Sequence, residues 1–193
     1  MVTIPAPRTR RFASVPWTCL ALGVALVILA APLTAAAADE QKFTAYNLWY
    51  EHPQKVYSTG YEKGTMIPAG TAVSQVKVSR KAVSFVDGSG ARFRVIFNAK
   101  HHPGLNSEQF ADRLLTAKNF AELTKGMSGK DVEAIKKGEV HPGMSKAAVL
   151  VAVGYPPEIR TANTDLDTWT YWRDRFRTYT VTFADGKVQQ SGQ

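Results

Sequence analysis

The chain has 193 residues, 45% hydrophobic and 21% charged, with 24 Lys+Arg against 16 Asp+Glu and a net charge of +8. These are the proportions of an ordinary globular protein, and they exclude a wholly disordered, collagenous or disulfide-scaffold chain. The one cysteine, Cys19, excludes an intrachain disulfide and a cysteine-built zinc or iron–sulfur centre.

The first segment reads as an address. Residues 1–18 carry Arg8, Arg10 and Arg11 and no acid, and Cys19–Ala31 is a continuous apolar run. Pro32 ends the run, and small residues lead through Ala35–Ala38 to Asp39-Glu40. Basic start, apolar middle and Ala-x-Ala ending are the three parts of a secretory signal peptide. The run is shorter than the roughly 20 residues a membrane-spanning helix needs. Cleavage is expected near Ala38, with residues 1–38 as the signal. Cys19 opens the apolar run instead of closing it, so it leaves with the signal and carries no lipid. Arg10-Arg11-Phe12 lacks the neighbours of a twin-arginine signal. Removing Arg8, Arg10 and Arg11 takes the balance from +8 to +5. That is too mild and too dispersed for a nucleic-acid face. It leaves room for peripheral contact with an anionic membrane or an acidic protein.

Residues 39–103 are expected to form a small β-rich module of four or five strands, as a sheet or partly closed barrel. Ile67-Pro68-Ala69-Gly70-Thr71 is a turn leading into Val73–Val78, which has strand character. Ala82–Val86 does too, and Asp87-Gly88-Ser89-Gly90 turns the chain. Phe93, Val95 and Phe97 then alternate on one face, completing a hairpin. His101-His102-Pro103-Gly104 closes the module.

Within 104–126 the spacing of Phe110, Leu114, Ala117 and Ala121 predicts a connecting helix, capped by Ser107 and running to about Thr124. Ser128-Gly-Lys-Asp131 starts a second helix and Gly138 stops it. Ser145 caps a third over Lys146–Val153, with Met144 and Val149 placed as a hydrophobic staple. Gly154 is expected in the left-handed position after it, and Pro156-Pro157 blocks continuation. This helix has one polar residue, Lys146, and should be buried on most sides. Thr168–Trp172, Thr178–Phe183 and a short strand from Val188 follow. Arg173–Arg177 and Ala184–Lys187 are their turns.

The stretch with Gly138, Gly143-Met144-Ser145-Lys146, Val149, Gly154-Tyr155-Pro156, Thr168–Tyr171 and Phe183-Ala-Asp-Gly186-Lys-Val188 resembles the SmpA/OmlA family, the BamE-like domain. The resemblance covers about residues 126–190. It implies an ααβββ unit, two helices packed on a three-stranded antiparallel sheet. It also implies a non-enzymatic role at the periplasmic side of the outer membrane, among components of the barrel-assembly machinery. Asn47–Glu51 and Ile67–Thr71 resemble stretches found before such domains. The expected fold class is therefore α+β, with the β-rich module followed by a BamE-like unit over 127–193.

No catalytic motif emerges. H-E-x-x-H and G-x-S-x-G are absent, and Gly88-Ser89-Gly90 sits in a hairpin turn. His52, His101, His102 and His141 each lie near Pro or Gly and read as solvated loop residues rather than metal ligands. Asp165 and Asp167 read as polar loop. No cofactor or metal is expected. Alternation places Trp172 opposite Trp169 and Tyr171, beside Arg173, Arg175 and Arg177. Trp and Arg concentrate at binding hot spots, so this edge is the expected partner surface, with Trp49 and Tyr50 as its other side. The competing arrangement packs Trp172 against the N-terminal module or the 107–124 helix. The expectation is an exported, periplasmic, non-catalytic binding or scaffold protein. A soluble inhibitor or ligand-binding module is the alternative, and a hydrolase or metal enzyme with an unrecognised site is the third reading.

Overall fold

The computed structural model describes residues 40–193, with Thr3 alone before them. The expected signal peptide and its cleavage near Ala38 lie outside the described residues. In chain order the elements are β1 (Lys42–Thr44), β2 (Leu48–Tyr50), β3 (Val56–Tyr57), β4 (Thr65–Ile67), β5 (Ala72–Ser79), β6 (Ala82–Asp87) and β7 (Arg92–Ile96). Then come α1 (Ser107–Leu114), β8 (Leu115–Thr116), α2 (Phe120–Leu123), α3 (Gly129–Lys137), α4 (Lys146–Val153), β9 (Thr168–Trp172), β10 (Thr178–Ala184) and β11 (Lys187–Ser191). The class is mixed α+β.

The strands form a six-stranded sheet in the order β3-β7-β6-β5-β1-β8, a three-stranded sheet β11-β10-β9 and a ribbon β2-β4. The N-terminal region thus holds more strands than the expected four or five. The additions have two or three residues each, too short for alternation to reveal. The β6–β7 hairpin turns at Asp87, whose Oδ1 accepts from the N–H groups of Ser89 and Ala91 at 2.9 Å each.

The expected continuous helix from 107 to 124 is corrected. Its cap is Asn106, not Ser107: Asn106 accepts from the Gln109 N–H while the Gln109 side chain accepts from the Asn106 N–H. The helix ends at Leu114, because Leu115 and Thr116 leave it to pair with Thr44 and Phe43 of β1. Asn119 and Glu122 then form a second reciprocal cap that starts α2. A local cap and an edge strand needing partners outweigh a weak helical period.

Asp39–Gln193 is one compact unit, with two apolar clusters inside it. One gathers Ile135, Met144, Ala148, Val149, Val151–Val153, Trp169, Tyr171, Tyr179, Val181, Phe183 and Val188. The other gathers Leu48, Val83, Phe85, Phe93, Val95, Phe97, Phe110 and Leu114. Ser128 and Ser145 cap α3 and α4, each accepting from the N–H three residues on. Gly138 ends α3 at φ 70°, with the Trp49 ring against the place where a Cβ would stand. Gly154 ends α4 differently from the expected left-handed turn. Its φ of 82° and ψ of −170° lie in a region open essentially to glycine, and a Cβ there would meet the Tyr46 ring at 2.7 Å.

A buried helix end must find partners for its last carbonyls. At the end of α4, the Gly154 N–H donates to Leu150 O and the Asn47 N–H to Val151 O. Asn47 Nδ2 donates to Ala152 O at 2.9 Å and to Ile135 O of α3 at 2.6 Å. Asn47 Oδ1 accepts from the Ala69 N–H at 2.7 Å. One side chain from the N-terminal region therefore ties together the ends of both helices.

Candidate partner-binding groove

The turn between β9 and β10 is held by Asp174. Its Oδ1 accepts from the N–H groups of Phe176 and Arg177 at 2.8 and 2.9 Å, and its other oxygen pairs with Arg177 at 2.6 Å. The Phe176 N–H and the Arg177 side chain hold its carboxyl down to about 2. Arg173 N–H donates to Arg177 O at 2.9 Å and closes the loop. A turn bonded this way projects its tip rigidly. Phe176 stands on that tip, 85% exposed, with the Arg175 guanidinium 5.6 Å from its ring.

Facing the turn is the connection between β2 and β4. Glu51, Tyr57, Tyr61, Glu62 and Lys63 join Arg173, Asp174, Arg175, Phe176 and Arg177 around a groove of about 890 Å³. Tyr57 and Tyr61 lie 5.4 Å apart, and Lys63 pairs with Glu51 at 2.8 Å. With Lys63 and Arg177 engaged, Arg173 and Arg175 supply the cationic character. Arg173 donates to Gly192 O at 3.0 Å, its guanidinium 5.7 Å from the Tyr179 ring. Glu62 accepts from the Tyr179 hydroxyl and from Gln193 Nε2. Burial lifts its carboxyl above the usual range despite these two donors. Burial and the neighbouring Glu62 likewise push the Tyr179 hydroxyl up.

The structure brings together Arg173, Arg175 and Arg177, and it places the other expected site residues elsewhere. Trp172 is half-buried, edge-on to His101 at 6.1 Å, with Arg160 5.4 Å from its ring. Its Nε1 is buried without a hydrogen-bond partner. Trp49 packs against the first apolar cluster over Gly138. Tyr50 packs edge-on to Phe93 at 5.1 Å and lines a smaller neighbouring cleft. Sequence reasoning passed over Phe176, Tyr57, Tyr61 and Glu62. An aromatic among arginines at a turn tip was a usable signal for Phe176. None existed for Glu62, which lies 117 residues from its partner Tyr179.

The expectation of four solvated histidines is also corrected. His52 is exposed, His101 and His141 are half-buried, and His102 is 4% exposed. His102 Nδ1 lies 2.7 Å from Glu158 Oε2 and its Nε2 lies 3.0 Å from Ser58 Oγ. Arg113 of α1 pairs with the second oxygen of Glu158. Four residues distant in sequence thus form one polar cluster. Loop position suggested solvent, but the loop after β7 folds inward against Phe97 and Phe110.

Among the described residues no group of three or more His, Cys, Asp or Glu is arranged to hold a metal ion. No described helix is long and apolar enough to cross a membrane. No family model, curated protein or solved structure matches the chain.

Proposed function

We propose that this is an exported binding or scaffold protein of the cell envelope, working on the periplasmic side of the outer membrane, with a BamE-like unit over residues 127–193. The order α3, α4, β9, β10, β11 supports the resemblance. So do the structural uses of its shared residues. Gly138 and Gly154 end helices, Ser145 caps one, and Trp169 and Tyr171 enter the core. The contact is made through the β9–β10 turn and the groove beneath it. The observation that carries this is Phe176, 85% exposed on a turn locked by Asp174 and flanked by arginines. A turn whose backbone is already fixed loses little backbone entropy on docking, and an aromatic ring beside guanidinium groups supplies the usual anchors of a protein interface. The partner is a protein segment with an apolar side chain for Phe176 and carboxylates for Arg173 and Arg175.

The test is a pull-down from the host envelope with the mature protein and with a Phe176→Ala/Arg175→Glu double variant. Wild type recovers outer-membrane assembly components, and the double variant recovers at least tenfold less while melting at an unchanged temperature. Equal recovery by both removes the groove from the interaction. Recovery of no assembly component removes the assembly reading.

A further inference from the structure

A hydroxyl, an imidazole and a carboxylate stand in line in the polar cluster, and the groove does not use them. Their hydrogen-bond roles follow from chemistry. Burial works against ionisation of Glu158, but hydrogen bonds from His102, from its own backbone and from Arg113 hold its carboxyl below the usual range. An ionised carboxylate only accepts, so His102 Nδ1 carries the proton and donates to it. In the neutral form of the ring, Nε2 presents its lone pair to Ser58 Oγ, 3.0 Å away. Ser58 Oγ also accepts from the Asn98 N–H at 3.2 Å, and in that form its own O–H donates to Nε2. This is the tautomer and orientation in which a histidine takes a proton from a nucleophilic serine. Phe97 stacks on the ring at 5.6 Å and 17°, and Phe110 lies at 5.5 Å, so two aromatic rings pack against the imidazole. Ser58 keeps partial exposure whereas His102 is 4% exposed.

We propose that Ser58 is an acyl-accepting nucleophile, with His102 as its general base and Glu158 as the positioning residue, acting on activated esters. This goes beyond the binding role and departs from the non-catalytic expectation. In the first step the Ser58 Oγ–carbon bond forms, the carbonyl π pair moves to oxygen, and the hydroxyl proton passes to His102 Nε2. Collapse of the adduct breaks the bond to the leaving oxygen, which takes the proton from Nε2. Water, losing its proton to the same nitrogen, then attacks the acyl-serine. The second adduct collapses to the carboxylic acid, and Ser58 recovers its proton.

The full mature chain is treated with a fluorophosphonate probe, and hydrolysis of p-nitrophenyl acetate is followed alongside. One probe adduct is expected, mapped to Ser58 and absent from Ser58→Ala. Ester hydrolysis should fall roughly 100-fold or more in Ser58→Ala and in His102→Gln. Glu158→Gln should lower kcat with KM unchanged and alter the pH profile of hydrolysis, which a merely structural role would not do. The charged groups facing His102 there are Glu158, its partner Arg113 and the adjacent His101. If His102→Gln fails to fold, Ser58→Ala and the adduct map decide alone. No adduct on Ser58 of the folded protein, or hydrolysis unchanged in Ser58→Ala, overturns the proposal.

Discussion

Asn47 joins groups that would otherwise lie buried and unpaired. Its amide nitrogen serves Ile135 O and Ala152 O, and its oxygen serves the Ala69 N–H. Each buried polar group left without a partner costs about 1–3 kcal/mol. Asn47→Ala strands all three, and we expect a loss of about 3 kcal/mol in urea unfolding. Asn47→Asp replaces a donor by an acceptor against two carbonyls and should be worse still. A loss below about 1 kcal/mol for both variants would show that water replaces the amide. Nothing in Asn47-Leu48-Trp49-Tyr50-Glu51 announces this task, because the groups served come from α3, α4 and the turn before β5.

Helix α4 makes its argument as an element. Ala148, Val149, Val151, Ala152 and Val153 are buried, while Ala147 is exposed and Lys146 and Leu150 are half-buried. An almost wholly apolar helix is stable only inside other structure. Both of its ends are therefore furnished, by the Ser145 hydroxyl at the start and by Asn47 and Gly154 at the finish. Ala152 is 0% exposed, so Ala152→Leu overpacks the core and should cost about 2 kcal/mol. Ala147→Leu, on the open side, should stay within about 0.5 kcal/mol. Thermal melts of the two variants give the contrast, and equal effects would contradict the burial pattern. This helix was legible in advance because cap, period and stop are all local. The segment after α1 was not, since the choice between helix and strand at Leu115 rests with β1, some seventy residues earlier.

At the scale of the whole molecule, Asn47 ties the N-terminal region to the ends of α3 and α4, and Ser58, Arg113, His102 and Glu158 draw four distant segments together. Glu158 has its folded value lowered from an ordinary 4.5. Its contribution is therefore complete above that value and is lost as pH falls through the lower folded value. Glu158→Gln removes this titration. The stability gap between wild type and variant should be widest near neutrality and close as pH drops below about 4.5, measured by melts from pH 7 to 3. A gap that stays constant would show that the carboxylate is not ionised in the folded state. At the same scale, the groove needs the β9–β10 turn and the segment from Glu51 to Lys63 to meet.

Sequence alone determined the class, the caps at Ser128 and Ser145, the hairpins at Asp87 and Arg173–Arg177, and the alternation burying Tyr179, Val181 and Phe183. Each depends on residues within one turn or two strands, where backbone sterics and periodicity act. The tertiary structure decided where those pieces put their polar groups. It turned Trp49 and Trp172 inward, drew His102 out of solvent and left Phe176 outside. The reason is that hydrogen-bond satisfaction and apolar burial are met by whichever groups arrive in space. Neither condition records how far apart those groups stand along the chain.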